Sequence, residues 1–192
     1  MGELTSVELC AGAGGQALGL EQAGFRHEAV IEIDADACET LRRNRGAEWK
    51  IIEDDVANVD GRAFHQVDLL AGGVPCPPFS IAGKQLGAGD DRDLFPQALR
   101  LVEEIAPRAV LLENVRGLGT HRFDGYRAQV LGRLRALGYE TGVIWCTPAN
   151  MGFPSSGRGS CWWRSGSRGR AGSAGPSRCP ARPRRWARRC TT

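Results

Sequence analysis

Six short apolar runs alternate with four amphipathic stretches between Val7 and Cys146, and no other feature so limits what the chain can fold into. The runs are Val7–Ala11, Ala29–Ile33, Trp49–Ile52, Val67–Ala71, Ala109–Glu113 and Gly142–Cys146. The helical stretches are Gly15–Ala23, Asp36–Asn44, Leu94–Ile105 and Tyr126–Leu137. In the third of these, Leu94, Ala98, Leu101, Val102 and Ile105 recur at helical spacing. In the second, Asp34 and Asp36 stand near the start and Arg42, Arg43 and Arg45 near the end, as the helix dipole favours. Strand and helix in this alternation predict an α/β fold with a mostly parallel, doubly wound sheet. With 42% hydrophobic residues in 192, such a sheet can bury a core.

Composition changes after Phe153. Residues 1–153 sum to −7, whereas residues 154–192 hold ten arginines, no acid and no Leu, Ile, Val, Phe or Met. A segment of Arg, Gly, Ser, Pro and Ala cannot bury enough apolar surface to offset its ordering entropy. The expected division is therefore 1–153 as the folded part and 154–192 as a basic, disordered tail. Seven cysteines without a C-x-x-C pair, and three histidines, argue against a disulfide framework or a metal site. No run is long enough to span a membrane, and the N-terminus carries Glu3 and Glu8 rather than a basic-then-apolar leader. A cytoplasmic protein without membrane contact is expected.

The chemistry-bearing residues gather where strands should end. Glu8-Leu9-Cys10-Ala11-Gly12-Ala13-Gly14-Gly15 runs from strand through glycine turn into helix. Such a turn either merely reverses the chain or lets backbone N–H groups approach a ligand. The second strand closes on Glu32, Ile33 and Asp34, where an acid accepts from ribose hydroxyls or caps the next helix. The third leads into Asp54, Asp55 and Val56. The fourth runs into Gly72–Arg92, a glycine- and proline-rich loop in which Cys76 stands between Pro75 and Pro77. A thiolate there would be a nucleophile; an ordinary buried cysteine is the plain alternative. Leu111-Leu112-Glu113-Asn114-Val115 closes the fifth strand with an acid that partial burial would keep protonated, or that simply meets solvent.

In this order, the glycine loop, the two acids, Pro75-Cys76 and Glu113-Asn114-Val115 resemble the DNA (cytosine-5)-methyltransferase family, from about Ser6 to Gly152. The segment Phe79-Ser80-Ile81-Ala82-Gly83-Lys84-Gln85 is similar to that family's mobile catalytic loop. The resemblance implies a Rossmann-like S-adenosylmethionine-dependent fold, incomplete at the C-terminus, acting on C5 of cytosine in DNA. It implies a cofactor cradle of Cys10, Gly12, Gly14 and Gly15, with Glu32 on the ribose and Ile33 on the adenine. Asp55 and Val56 would read the adenine edge, and Pro75 and Leu94 would line the methionine side. Cys76 would attack C6 of the base and Glu113 would protonate N3, with Ser80, Asn114 and Val115 on the substrate. A cognate restriction endonuclease is an implied cellular partner.

Two departures qualify it. Pro77 follows the cysteine where many members have Gln. At Phe153–Gly159 members usually carry Val-Pro-Gln, two arginines and then an apolar strand; here Ser155, Gly157 and Gly159 replace the key positions. GC-rich codons for Phe153–Arg164, read from the third base, spell Pro-Gln-Leu-Arg-Pro-Arg-Phe-Val-Leu-Val-Ala, the missing motif and strand. The expectation is a frameshifted, truncated chain of weak or absent activity, with no strand in its tail. Other functions stay open: nucleic-acid binding through the tail with Trp162, Trp163 and Trp186, methylation of an RNA cytosine, or nucleotide-dependent oxidoreduction.

Overall fold

The computed structural model describes residues 3–75, 93–143 and 160–165. Among them, strands β1 (Leu4–Leu9), β2 (Phe25–Glu32), β3 (Ile51–Glu53), β4 (Leu69–Gly73) and β5 (Ala109–Asn114) form a parallel sheet, and β6 (Ser160–Ser165) joins its edge antiparallel to β5. The order is β3-β2-β1-β4-β5-β6. Helices α1 (Gly15–Gln22), α2 (Ala35–Arg45), α3 (Phe95–Ile105) and α4 (Asp124–Ala136) complete the fold. All four lie within two residues of their expected bounds. The winding reverses between β1 and β4, and in such sheets the crevice beyond the strands' carboxyl ends at that point takes the ligand.

Three differences from the sequence expectation have physical causes. Strand β1 stops at Leu9 because Cys10 takes a left-handed φ of 52°, which no strand residue adopts. Trp49 precedes β3 instead of opening it: its ring is buried with Leu41 and Val30, and its indole N–H donates to Glu21 at 2.9 Å. Ser160–Ser165 is a strand although the tail's composition predicts none. Its backbone pairs with β5 from Ala109 to Asn114, so pairing to a formed edge outweighs composition. The sixth expected run, Gly142–Cys146, is not a strand at Gly142 and Val143, and its remainder lies outside the described residues.

The larger core lies on one face of the sheet, where Val7, Leu9, Ile31, Leu70, Val110 and Leu112 meet Phe95, Leu101, Val102 and Ile105 of α3. The other face holds a polar row. Ser6 and His27 are buried, with Ser6 Oγ donating to His27 Nδ1 at 2.9 Å and His27 Nε2 donating to the Ala17 carbonyl at 3.0 Å. Glu8 is 0% exposed and neither carboxyl oxygen makes a hydrogen bond. Burial pushes its pKa up to about 8, the nearby Ala17 amide offsetting only part.

The sign of the resulting pH dependence follows. Above pH 4.5 the unfolded chain releases the Glu8 proton while the fold retains it, so stability falls as pH rises towards 8. Burial lowers the His27 pKa from 6.5, so that group costs stability only as pH falls below this value. Glu113, also raised by burial, acts in the same direction as Glu8. Between pH 6.5 and 8, we expect the unfolding free energy to drop by about 2 kcal/mol from Glu8 alone. Urea unfolding at the two pH values measures this. Glu8→Gln should remove most of the drop, and a variant with the full drop would contradict the assignment.

Candidate active site

The carboxyl ends of β1 to β4 surround a cavity of about 270 Å³, lined by Cys10, Glu32, Ile33, Asp54, Asp55, Val56, Gly73, Pro75 and Leu94. Seven of the ten residues expected to hold a cofactor stand in this wall. The other three, Gly12, Gly14 and Gly15, form the turn from β1 into α1.

Glu32 organises the cavity. It is largely buried at the end of β2, and its Oε2 accepts the Gly12 N–H at 2.7 Å. Its Oε1 accepts the N–H groups of Ile33 and Asp34, each at 2.9 Å. One carboxylate thus clamps the glycine turn to the β2 exit and keeps lone pairs for a ligand. Asp34 caps α2 by accepting the Ala37 N–H at 2.8 Å. Asp34 thus takes the helix-cap reading, and Glu32 is the acid of the pair that lines the cavity. Ile33 is left 64% exposed, an apolar side chain on the cavity wall.

The glycines differ in what they supply. Gly12 has φ 54°, and a Cβ there would meet nothing within 4 Å, so this turn is open towards a ligand. Gly14 has φ 86°, and a Cβ would stand 2.6 Å from Leu41 Cδ2, so its hydrogen keeps α1 close to α2. Gly15 opens α1.

Asp55 Oδ1 accepts the Ala57 N–H at 2.8 Å and Asp54 Oδ1 accepts the Asp55 N–H at 2.7 Å, which fixes the turn after β3. Three acids at one cavity suit a cationic ligand. The Cys10 thiol is pushed up to about 12, first by burial and then by Glu32 and Asp55. That holds it as a neutral thiol, the form that is a poor nucleophile.

At the neighbouring strand ends, β4 pairs with β5 so that Gly73 faces Glu113. Glu113 Oε2 would lie 3.9 Å from a Cβ on Gly73, and burial pushes the Glu113 pKa up, as an acid that donates a proton requires. Asn114, expected at the substrate, is 2% exposed and turned inward. Its Nδ2 donates to the Val74 carbonyl at 2.7 Å and its Oδ1 accepts the Val115 N–H at 2.8 Å. It braces the exit of β4. Val115 is exposed beside it. Cys76 follows Pro75 directly in the chain; Cys76 and Ser80 lie outside the described residues. Asp54 and Gly73 also line the cavity; both lie in stretches the sequence singles out, without a role assigned to either. Among the described residues no cluster of His, Cys, Asp and Glu could hold a metal, and no helix is long and apolar enough to cross a membrane.

The family model for C-5 cytosine-specific DNA methylases matches residues 4–156. The chain belongs to that family. Its methylase-type sequence is 58% identical over 137 residues to the Type II methyltransferase M.NgoMIV of Neisseria gonorrhoeae, covering 71% of this chain and 44% of the relative. It is 56% identical over 142 residues to M.NaeI of Lentzea aerocolonigenes, covering 72% of this chain and 34% of the relative. The chain thus spans less than half the length of these curated methyltransferases. In solved structures, this methylase fold matches a candidate DNA modification methyltransferase encoded within an Escherichia coli prophage. The TM-score is 0.72 at 26% identity, over 85% of this chain and 47% of that one. A DNMT2 of Spodoptera frugiperda, at TM-score 0.67 and 22% identity over 84% of this chain and 50% of that one, shares the fold alone.

Proposed function

We propose that this chain supplies the cofactor-binding and bond-making part of an S-adenosylmethionine-dependent transfer of methyl to C5 of cytosine in DNA, in the cytoplasm. The observation that carries it is one acidic cavity gathering the ends of four adjacent strands, with Cys76 next in sequence to its Pro75 wall and Glu113 at the adjoining strand end.

The cavity fits the group by its chemistry. Glu32, Asp54 and Asp55 suit a sulfonium cation and ribose hydroxyls, while Ile33, Val56, Pro75 and Leu94 suit the faces of a purine and an aliphatic chain. When bound, S-adenosylmethionine supplies an electrophilic methyl group. The Cys76 thiolate adds to C6 of a cytosine turned out of its helix. Glu113 gives its proton to N3 as C5 gains electron density and takes the methyl. Water then takes the C5 proton as the C6–S bond breaks and the Cys76 thiolate leaves, and N3 returns its proton to Glu113, which restores the neutral ring. Asn114 acts here by holding Val74 and so the chain entering Cys76. Type II relatives support a restriction endonuclease as cellular partner.

The same reading divides the chain at residue 153 and gives 154–192 to a shifted frame. The apolar run of the alternative frame falls on codons 159–164, where β6 pairs with β5. Sequencing the coding DNA from the Asn150 codon tests this. Continuation of the other frame into further domain sequence supports the shift, and an early stop refutes it.

The chemical test is transfer of labelled methyl from S-adenosylmethionine to duplex DNA and to RNA of matched cytosine content. Label at C5 of DNA cytosine supports the proposal. Label on RNA alone replaces it with RNA methylation, and DNA binding without label, lost on deleting 154–192, favours a binding module.

A further inference from the structure

One residue outside the cavity bonds the backbone of one of its walls and stands on the helix that carries another. Arg100 projects from α3 and spends its whole guanidinium on neighbours. Its Nη2 donates to the Val56 carbonyl at 2.8 Å, and its Nη1 donates to the Val59 carbonyl at 3.0 Å. The same Nη1 meets both Glu104 oxygens at 2.8 and 2.9 Å, and Nε donates to Gln97 Oε1 at 2.9 Å. Glu104 in turn accepts the Gly61 N–H at 2.8 Å, and a Cβ on Gly61 would come 2.8 Å from Glu104 Cβ, so the loop after β3 is pressed onto α3.

Val56 lines the cavity from the β3 side, and Leu94, at the N-terminal end of α3, lines it from the other. Arg100 stands six residues beyond Leu94 on the same helix, about 9 Å along its axis. The guanidinium is therefore a fixed strut between the Asp55-Val56 turn and the helix that carries Leu94. The planar fork holds two carbonyls and a carboxylate from separate nitrogens; a lysine ammonium has three donors but one nitrogen and does not span the same separation.

We infer that Arg100 is a positioning residue that sets the width of the cofactor cavity between Val56, at the adenine edge, and Leu94, at the methionine side. It acts through Val56 and Leu94 rather than by touching the ligand. This rests on the cofactor reading above.

The test is calorimetric titration of the full chain with S-adenosylmethionine and with adenosine. Wild type, Arg100→Lys, Glu104→Gln and Leu134→Ala are compared, with thermal unfolding of each. Leu134 is buried on α4, which contributes nothing to the cavity wall. Arg100→Lys should weaken both ligands about tenfold, the order expected when near 1.4 kcal/mol of preorganisation is lost. Glu104→Gln, which leaves Arg100 in place, should weaken them less. Leu134→Ala should lower Tm more than Arg100→Lys yet change affinity less than about twofold, since a remote core cavity costs stability and not site geometry. Affinity unchanged in Arg100→Lys, or a loss that simply follows Tm through Leu134→Ala, overturns the inference while sparing the cofactor reading. A wild-type chain that binds neither ligand overturns the cofactor reading and this inference with it. Should Arg100→Lys fail to fold, a Glu104→Gln affinity equal to wild type at reduced Tm also overturns it.

Discussion

Cys76→Ser should bind S-adenosylmethionine like the wild type and transfer no measurable methyl. A serine hydroxyl remains protonated at neutral pH, whereas a thiol ionises near pH 8.5 and is intrinsically the better nucleophile toward C6 of a pyrimidine. Neither Cys10 nor Cys38 offers a substitute. The Cys10 thiol is pushed up to about 12, and Cys38 is buried on α2 with its thiol also pushed up, chiefly by burial. Loss of a covalent nucleophile typically costs a thousandfold or more, so the expected fall exceeds roughly 10³. Labelled transfer by this chain, or by the product of the alternative frame, measures it. Normal turnover with serine would remove Cys76 from the mechanism.

The second large effect belongs to Glu32. Glu32→Ala strands three N–H groups, those of Gly12, Ile33 and Asp34, where wild type has a charged acceptor. Bonds to charged groups contribute about 1.5 to 3 kcal/mol each, and partial hydration of the vacated site returns some of that, so a destabilisation of about 3 kcal/mol is expected. Cofactor affinity should fall about a hundredfold, because the glycine turn and the β2 exit lose their common anchor as well as the ribose acceptor. Glu32→Gln keeps one oxygen acceptor and should lie between. Denaturant unfolding and ligand titration of the three proteins give both numbers. An alanine variant with wild-type stability would show that the clamp does not hold the turn.

The parallel sheet and the four helices followed from local pattern. The seven cavity residues followed from the family resemblance; six lie at or just past strand ends, where apolar runs meet glycine, proline or acid, and Leu94 opens α3. The sequence already divided Glu32 and Asp34 between ligand and helix cap, but the bond from Gly12 to Glu32, made across 20 residues of sequence, left no local sign. Arg100 gave no signal. Its partners lie 41 and 44 residues away, and on a helix of known polarity it reads as a solvated charge. Glu8 was equally hidden, since a carboxyl in a strand is ordinarily at the surface, whereas here β1 lies between β2 and β4 with the Ala17 backbone of α1 beside the carboxyl. Asn114 was drawn to the substrate by its neighbours in sequence, whereas the pleat of β5 turns it inward to Val74. The strand β6 shows the limit of composition: an unpaired edge of β5 recruits backbone from a segment whose side chains predict none.

Direct titration of the purified chain with S-adenosylmethionine, alongside NAD, tests the central claim that the cavity of Glu32, Asp55 and Leu94 is a methyl-donor site. One molecule of S-adenosylmethionine bound per chain, weakened by Glu32→Ala and not displaced by NAD, is the predicted result. Tight binding of NAD with none of S-adenosylmethionine would contradict it and return the glycine turn to nucleotide-dependent oxidoreduction.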